Sequence, residues 1–121
     1  LSYLWLKHNF RLTRSIDFER VRRSGKSFAH PLVVLIALPS ESGRTLCGIS
    51  ASRSVGTAVR RNRAKRLLRE AVRPLLPNLK PGWLILFLAR KPLAQAGFSD
   101  TSTAIRALLR QARLDDDNHV G

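Results

Sequence analysis

Apolar residues recur at steps of three and four through Ala64, Leu67, Leu68, Ala71, Val72 and Leu75, while Asn62, Lys65, Arg66, Arg69 and Arg73 fall on the remaining arc. The spacing predicts an amphipathic helix with one side on a core and the other carrying cations. Pro74 has no N–H to continue the ladder and Pro77 follows, so this helix should stop near Arg73. Ser15 ahead of residues 16–23 is a fair N-cap with acids in the first turn, and Gly25 is expected to close that short helix in a left-handed conformation. A third helix is expected behind a Ser99-Asp100 cap, burying Ala104, Ile105, Leu108, Leu109 and Ala112 and turning Arg106, Arg110 and Arg113 outward.

Between the helices the period changes. Residues 32–38 and 45–51 are rich in branched aliphatics and flank a polar turn, so they are expected to form an antiparallel pair. Residues 83–89 are apolar at every position, as in a strand buried on both faces in mid-sheet. This order gives an α/β two-layer sandwich, helices against one mixed sheet. We expect a single domain over residues 1–121, with a core of about 10–113 and mobile tails at 1–9 and 114–121.

Charge narrows the function. Twenty-two Lys and Arg against 8 Asp and Glu leave a net charge of +14, more than solubility requires and suited to a polyanionic partner. No apolar run approaches the ~18 residues of a spanning helix, and the short apolar start has its charges after the apolar part, unlike a secretory signal. Cys47 is the only cysteine, so no internal disulfide is possible and the cytoplasm is the default compartment.

Chemistry on the chain itself finds little support. His8, His30 and His119 are scattered without metal-ligand spacing, and Asp115-Asp116-Asp117 reads as a solvated run. Ser24-Gly25-Lys26-Ser27 lacks the first glycine of a phosphate-binding loop, and the remaining carboxylates are too dispersed for metal-assisted hydrolysis. The basic constellation is stronger: Arg outnumbers Lys, only Glu70 opposes it, and the cations begin at the helix N-terminus, where the dipole disfavours them unless a ligand selects them.

Residues 48–70, with Ser50-Ala51-Ser52-Arg53 leading into Arg60-Arg61-Asn62-Arg63-Ala64-Lys65-Arg66-Leu67-Leu68-Arg69-Glu70, closely resemble the signature of the bacterial ribonuclease P protein family. Phe10-Arg11-Leu12, Asp17-Phe18, Val21 before Gly25-Lys26, the aliphatic strand and Ala89-Arg90-Lys91-Pro92 fit in order, so the resemblance spans about Phe10 to Arg113. It implies a mixed four-stranded sheet with three helices and a left-handed β-α-β crossover. It further implies the protein subunit of an endoribonuclease whose catalytic RNA, with Mg²⁺ and no organic cofactor, removes the 5′ leader of precursor tRNA.

The resemblance assigns no catalytic or metal-binding residue to the chain. It places Arg60, Arg61, Asn62, Arg63, Lys65, Arg66, Arg69 and Arg73 toward the catalytic RNA, and a leader-binding cleft at Phe18, Arg22, Ile36, Ser50, Ser52 and Arg53. Arg22 stands where relatives often carry a second aromatic, and Ile36 where the sheet is often aromatic. Phosphate contact or guanidinium stacking by Arg22 is expected to replace part of the lost base stacking. A ribosomal or general RNA-binding protein of similar fold is the alternative. A DNA-binding module lacks the turn and partner helix it would need, and neither DNA nor a membrane is expected as a partner.

Overall fold

The computed structural model describes Leu12 and residues 15–115. In chain order these residues form α1 (Ser15–Ser24), β1 (Lys26–Ala29), β2 (Val33–Pro39), β3 (Leu46–Ser50), α2 (Ala58–Val72), β4 (Trp83–Ala89) and α3 (Phe98–Gln111), with short 3-10 helices at Arg53–Val55, Arg73–Asn78 and Lys91–Gln95. The sheet runs β1-β2-β4-β3, antiparallel except for the parallel β3–β4 pair. Parallel neighbours need a crossover, and α2 supplies it.

Strand β4 sits in mid-sheet, as its unbroken apolar run requires. Alternation sends Val33, Leu35, Ile85, Phe87 and Cys47 into a main core with Ala64, Leu68, Ala71 and Val72 of α2 and Ile105, Leu108 and Leu109 of α3. Ile36, Leu84 and Leu86 point the other way, into a smaller core that Val21 of α1 and Leu12 cover. Leu12 is pinned there by its N–H, which donates to the Cys47 carbonyl at 2.8 Å.

Several expectations need correction. The strands over 33–39 and 46–50 are not hydrogen-bonded partners, because β4 is inserted between them; the hairpin partner of β2 is β1, a short edge strand. Gly25 does not take a positive φ, unlike Gly43, Gly56 and Gly82. It is needed for closeness: a Cβ there would stand 2.5 Å from the Val21 carbonyl oxygen and 2.6 Å from Ile36 Cγ2. Helix α3 starts earlier than a Ser99-Asp100 cap allows. Gly97 is its N-cap, and its carbonyl accepts the Thr101 N–H at 3.1 Å and the Thr101 hydroxyl at 2.8 Å. The ordered core also passes Arg113. Leu114 is buried, its carbonyl accepts the Lys80 N–H at 2.8 Å, and Asp115 bridges to Leu79. The expected tail residues 1–9 and 116–121 lie outside the described residues. Among those described, no helix is long and apolar enough to cross a membrane.

Burial pushes the Cys47 thiol from its ordinary 9.0 up to about 12. Unfolded chains ionise this thiol above about pH 9 while the fold keeps it protonated, so its contribution to stability is intact below that pH and falls away between 9 and 12. Native protein at about pH 8 should therefore resist thiol reagents and react only on denaturation. Prompt labelling of the folded chain would contradict the burial.

Candidate nucleic-acid interface

Helix α2 begins at Thr57, whose hydroxyl oxygen accepts the Arg60 N–H at 3.3 Å. The preceding Gly56 has φ 137°, and a Cβ on it would meet Arg60 Cδ at 2.8 Å, so glycine lets the Arg60 stem lie across the turn. With Ala64, Leu68, Ala71 and Val72 holding the inner side, Arg60, Asn62, Arg63 and Arg66 are exposed and Arg61, Lys65 and Arg69 half-buried. The expected basic face is thus assembled.

Its electrostatics are unbalanced. Among the described residues no carboxylate lies within ion-pair range of Arg60, Arg61, Arg63, Lys65, Arg66 or Arg69. Arg63 Nη2 donates to the Ala96 carbonyl at 3.1 Å, which steadies the side chain without cancelling its charge. Among the described residues no group pairs the buried Arg61 Nε, a donor left available to a binding partner. Arg73 differs. It clasps Glu70 with both terminal nitrogens, at 3.0 and 2.7 Å, and these hydrogen bonds hold the Glu70 carboxyl below its ordinary pKa. An i,i+3 carboxylate therefore already compensates the Arg73 charge.

A groove of about 460 Å³ lies on the other face of the sheet. Ser50, Leu88 and Val34 stand side by side in the β3–β4–β2 register, and the two aliphatic residues form its floor. Arg22 of α1 reaches over it, Nη2 donating to Ser50 Oγ at 3.2 Å. Ser52 and Ser54, whose hydroxyls are 2.7 Å apart, line one wall together with Arg90 and Lys91 at the end of β4.

The expected cleft residues divide accordingly. Arg22, Ser50 and Ser52 come together in this groove. Phe18 lines a neighbouring depression with Ile16, Glu19 and Arg22, its ring so near Gly48 that a Cβ there would be 2.8 Å away. Arg53 is exposed on the 3-10 helix beside the groove but does not line it, and Ile36 is only 6% exposed beneath α1. Sequence reasoning missed Arg90, Lys91 and Ser54 as groove residues. Their signal was two cations immediately after the all-apolar strand, where the chain must emerge at the sheet's end.

The arrangement can bind anions and offers hydroxyls and guanidinium groups to an extended strand. Among the described residues no group of three or more His, Cys, Asp or Glu side chains gathers as a metal site would require. His30 Nδ1 accepts the Leu32 N–H at 3.1 Å, a turn-stabilising role.

Comparison with known proteins agrees with this chemistry. The family model described as Ribonuclease P matches residues 6–113. The ribonuclease P protein component of Herpetosiphon aurantiacus is 40% identical across 93% of this chain and 91% of its own length. That of Chloroflexus aurantiacus is 44% identical, across 90% and 82%. Among solved structures, the Staphylococcus aureus RNase P protein matches with a TM-score of 0.78 at 25% identity, covering 88% of this chain and 97% of that one. The Thermotoga maritima protein matches at 0.73 and 28%, covering 84% and 96%.

Proposed function

Because this chain belongs to the ribonuclease P protein family, we propose that it docks on a catalytic RNA and holds the 5′ leader of precursor tRNA while that RNA, with Mg²⁺, cuts the leader away. The observation that carries this reading is the row of cations on α2 that, among the described residues, has no carboxylate within ion-pair distance, an arrangement that repels itself unless phosphates complete it. Arg61 Nε, buried and unpaired, is a donor that such a partner would satisfy.

Two RNA surfaces fit the architecture because they occupy opposite faces of one sheet. The α2 cations belong to the main-core side, and the Arg22–Ser50 groove to the side that α1 covers. One RNA body can therefore sit on α2 without blocking a single strand in the groove. In that groove Arg22, Arg90 and Lys91 offer contacts to phosphates and Ser50 and Ser52 to sugar or base edges, a combination of low sequence selectivity suited to leaders that vary. In this reading Mg²⁺ belongs to the RNA, and the roles derived for this chain are those of binding and orienting the RNA. The alternative of a general RNA-binding protein accounts for the α2 face but not for a second groove behind the sheet.

The test compares precursor tRNA with mature tRNA on the reconstituted holoenzyme. The protein should favour the leader-bearing substrate, and Arg22→Ala should remove about 1.5–3 kcal/mol of that preference, the range for hydrogen bonds to charged groups. Equal affinity for the two RNAs with and without the protein would reject leader binding.

A further inference from the structure

At the far end of the strands, a second groove opens on the α3 side of the sheet, with a volume of about 580 Å³. Lys26 and Phe28 are two apart on edge strand β1 and so share a face. Lys26 pairs with Ala37 and Phe28 with Leu35, both main-core positions. Trp83 opens β4 and also lies on that face, packed against the rim of the main core. Arg113 closes the groove from the end of α3. Two half-buried aromatics and two exposed cations thus converge where sheet edge and helix end meet.

We propose that this groove is a further RNA-binding site, taking an unpaired segment of the RNA subunit with a base on Trp83 or Phe28 and its phosphates on Lys26 and Arg113. Charge complementarity selects this occupant. Among the described residues no carboxylate lines the groove, and neither Lys26 nor Arg113 has an ion-pair partner. Lys26 Nζ stands 5.5 Å from the Phe28 ring centroid, so cation and ring are already adjacent, as a stacked base with its flanking phosphate needs. Arg113 adds a second sign. It is the only described non-glycine residue with positive φ, 57°, at a helix end where glycine would be unstrained.

The site is separate from the leader groove. The one is at the Trp83–Pro39 end and the other at the Ala89–Val33 end, about 20 Å apart at ~3.3 Å per residue, and on opposite faces. It shares its face with α2, so an RNA docked on the α2 cations is on the right side to reach it.

The inference rests on assembly with the catalytic RNA, and the test keeps the two apart. A Trp5→Phe variant of this 121-residue chain, in which Trp83 is the one remaining tryptophan, is titrated with a bacterial ribonuclease P RNA while assembly is followed independently by gel mobility. Trp83 emission should be quenched on assembly. Lys26→Gln and Arg113→Gly should each weaken assembly by ~3–10-fold and reduce its salt slope by about 1. Arg113→Gly is the decisive variant because glycine accepts φ 57° without strain, so a loss of binding reports the missing side chain and not a strained backbone. Assembly with unchanged emission, or with both variants at wild-type affinity and slope, overturns this site alone; failure to assemble at all overturns the functional reading. Quenching by precursor tRNA without the RNA subunit, or the same emission change on deleting residues 116–121, would assign the groove to another occupant and overturn the proposal.

Discussion

Phe87→Ala should cost about 3–5 kcal/mol, the usual penalty for emptying a fully buried aromatic site, against a total of about 5–15 kcal/mol for a domain of this kind. Phe87 is 0% exposed at the middle of β4, between Leu35 of β2 and Ile49 of β3 in register, and it faces the main core. The consequence reaches function, since the same strand carries Leu88 in the groove floor and delivers Arg90 and Lys91 to its wall. Denaturant titration should show a large fall in midpoint. Phe98→Ala is the control: that ring is 50% exposed at the start of α3, and its loss should cost under about 1 kcal/mol. Equal midpoints for the two variants would mean that β4 is not the centre of the core.

The second large effect concerns binding. Reversing Arg66 and Arg69 together to Glu should weaken assembly with the RNA by at least ~100-fold, about 3 kcal/mol, since two charge-assisted contacts are lost and two repulsions gained. Neither residue has a carboxylate within ion-pair distance among the described residues, so no close pair is broken, although both cations act on Glu70 at longer range and the reversal places two acids near it. The salt dependence should flatten by about two phosphate contacts. Arg73→Ala should behave differently. Because Glu70 already holds Arg73, its loss should change stability by about 0–1 kcal/mol and assembly far less than the double reversal. Similar losses in both variants, measured by filter binding across a salt series, would contradict a face sorted by charge compensation.

What could be read from the chain follows the range of the interactions involved. Helix α2 was legible because its causes are local: a three-four apolar rhythm, a proline stop at Pro74 and a dense cation run. The mid-sheet place of β4 was legible because seven consecutive apolar residues leave no face for water. Pairing was not. The insertion of β4 between β2 and β3 depends on contacts about forty residues apart, and the short, half-polar Lys26–Ala29 strand has too little pattern to announce itself. Gly25 illustrates the same limit: its presence signalled a constraint, but only the approach of Ile36 shows the constraint to be closeness instead of a left-handed turn.

The candidate site divides along the same line. Arg61, Asn62, Arg63, Lys65, Arg66 and Arg69 share a helix face that periodicity can draw, and the family resemblance adds Arg22, Ser50 and Ser52 to one groove. Arg73 was discoverable as already spoken for, since Glu70 stands three residues earlier. Arg90 and Lys91 required the sheet order, which brings the end of β4 against the start of β2.

The central claim is that this chain supplies binding surfaces and an RNA partner supplies the chemistry. Its most direct test is accurate 5′ processing of precursor tRNA at low Mg²⁺ by a bacterial ribonuclease P RNA, with and without the purified protein, and by the protein after all RNA has been digested away. The account predicts cleavage with both components, little with RNA alone under those conditions, and none with protein alone. Robust, accurate cleavage by the RNA-free protein would contradict it.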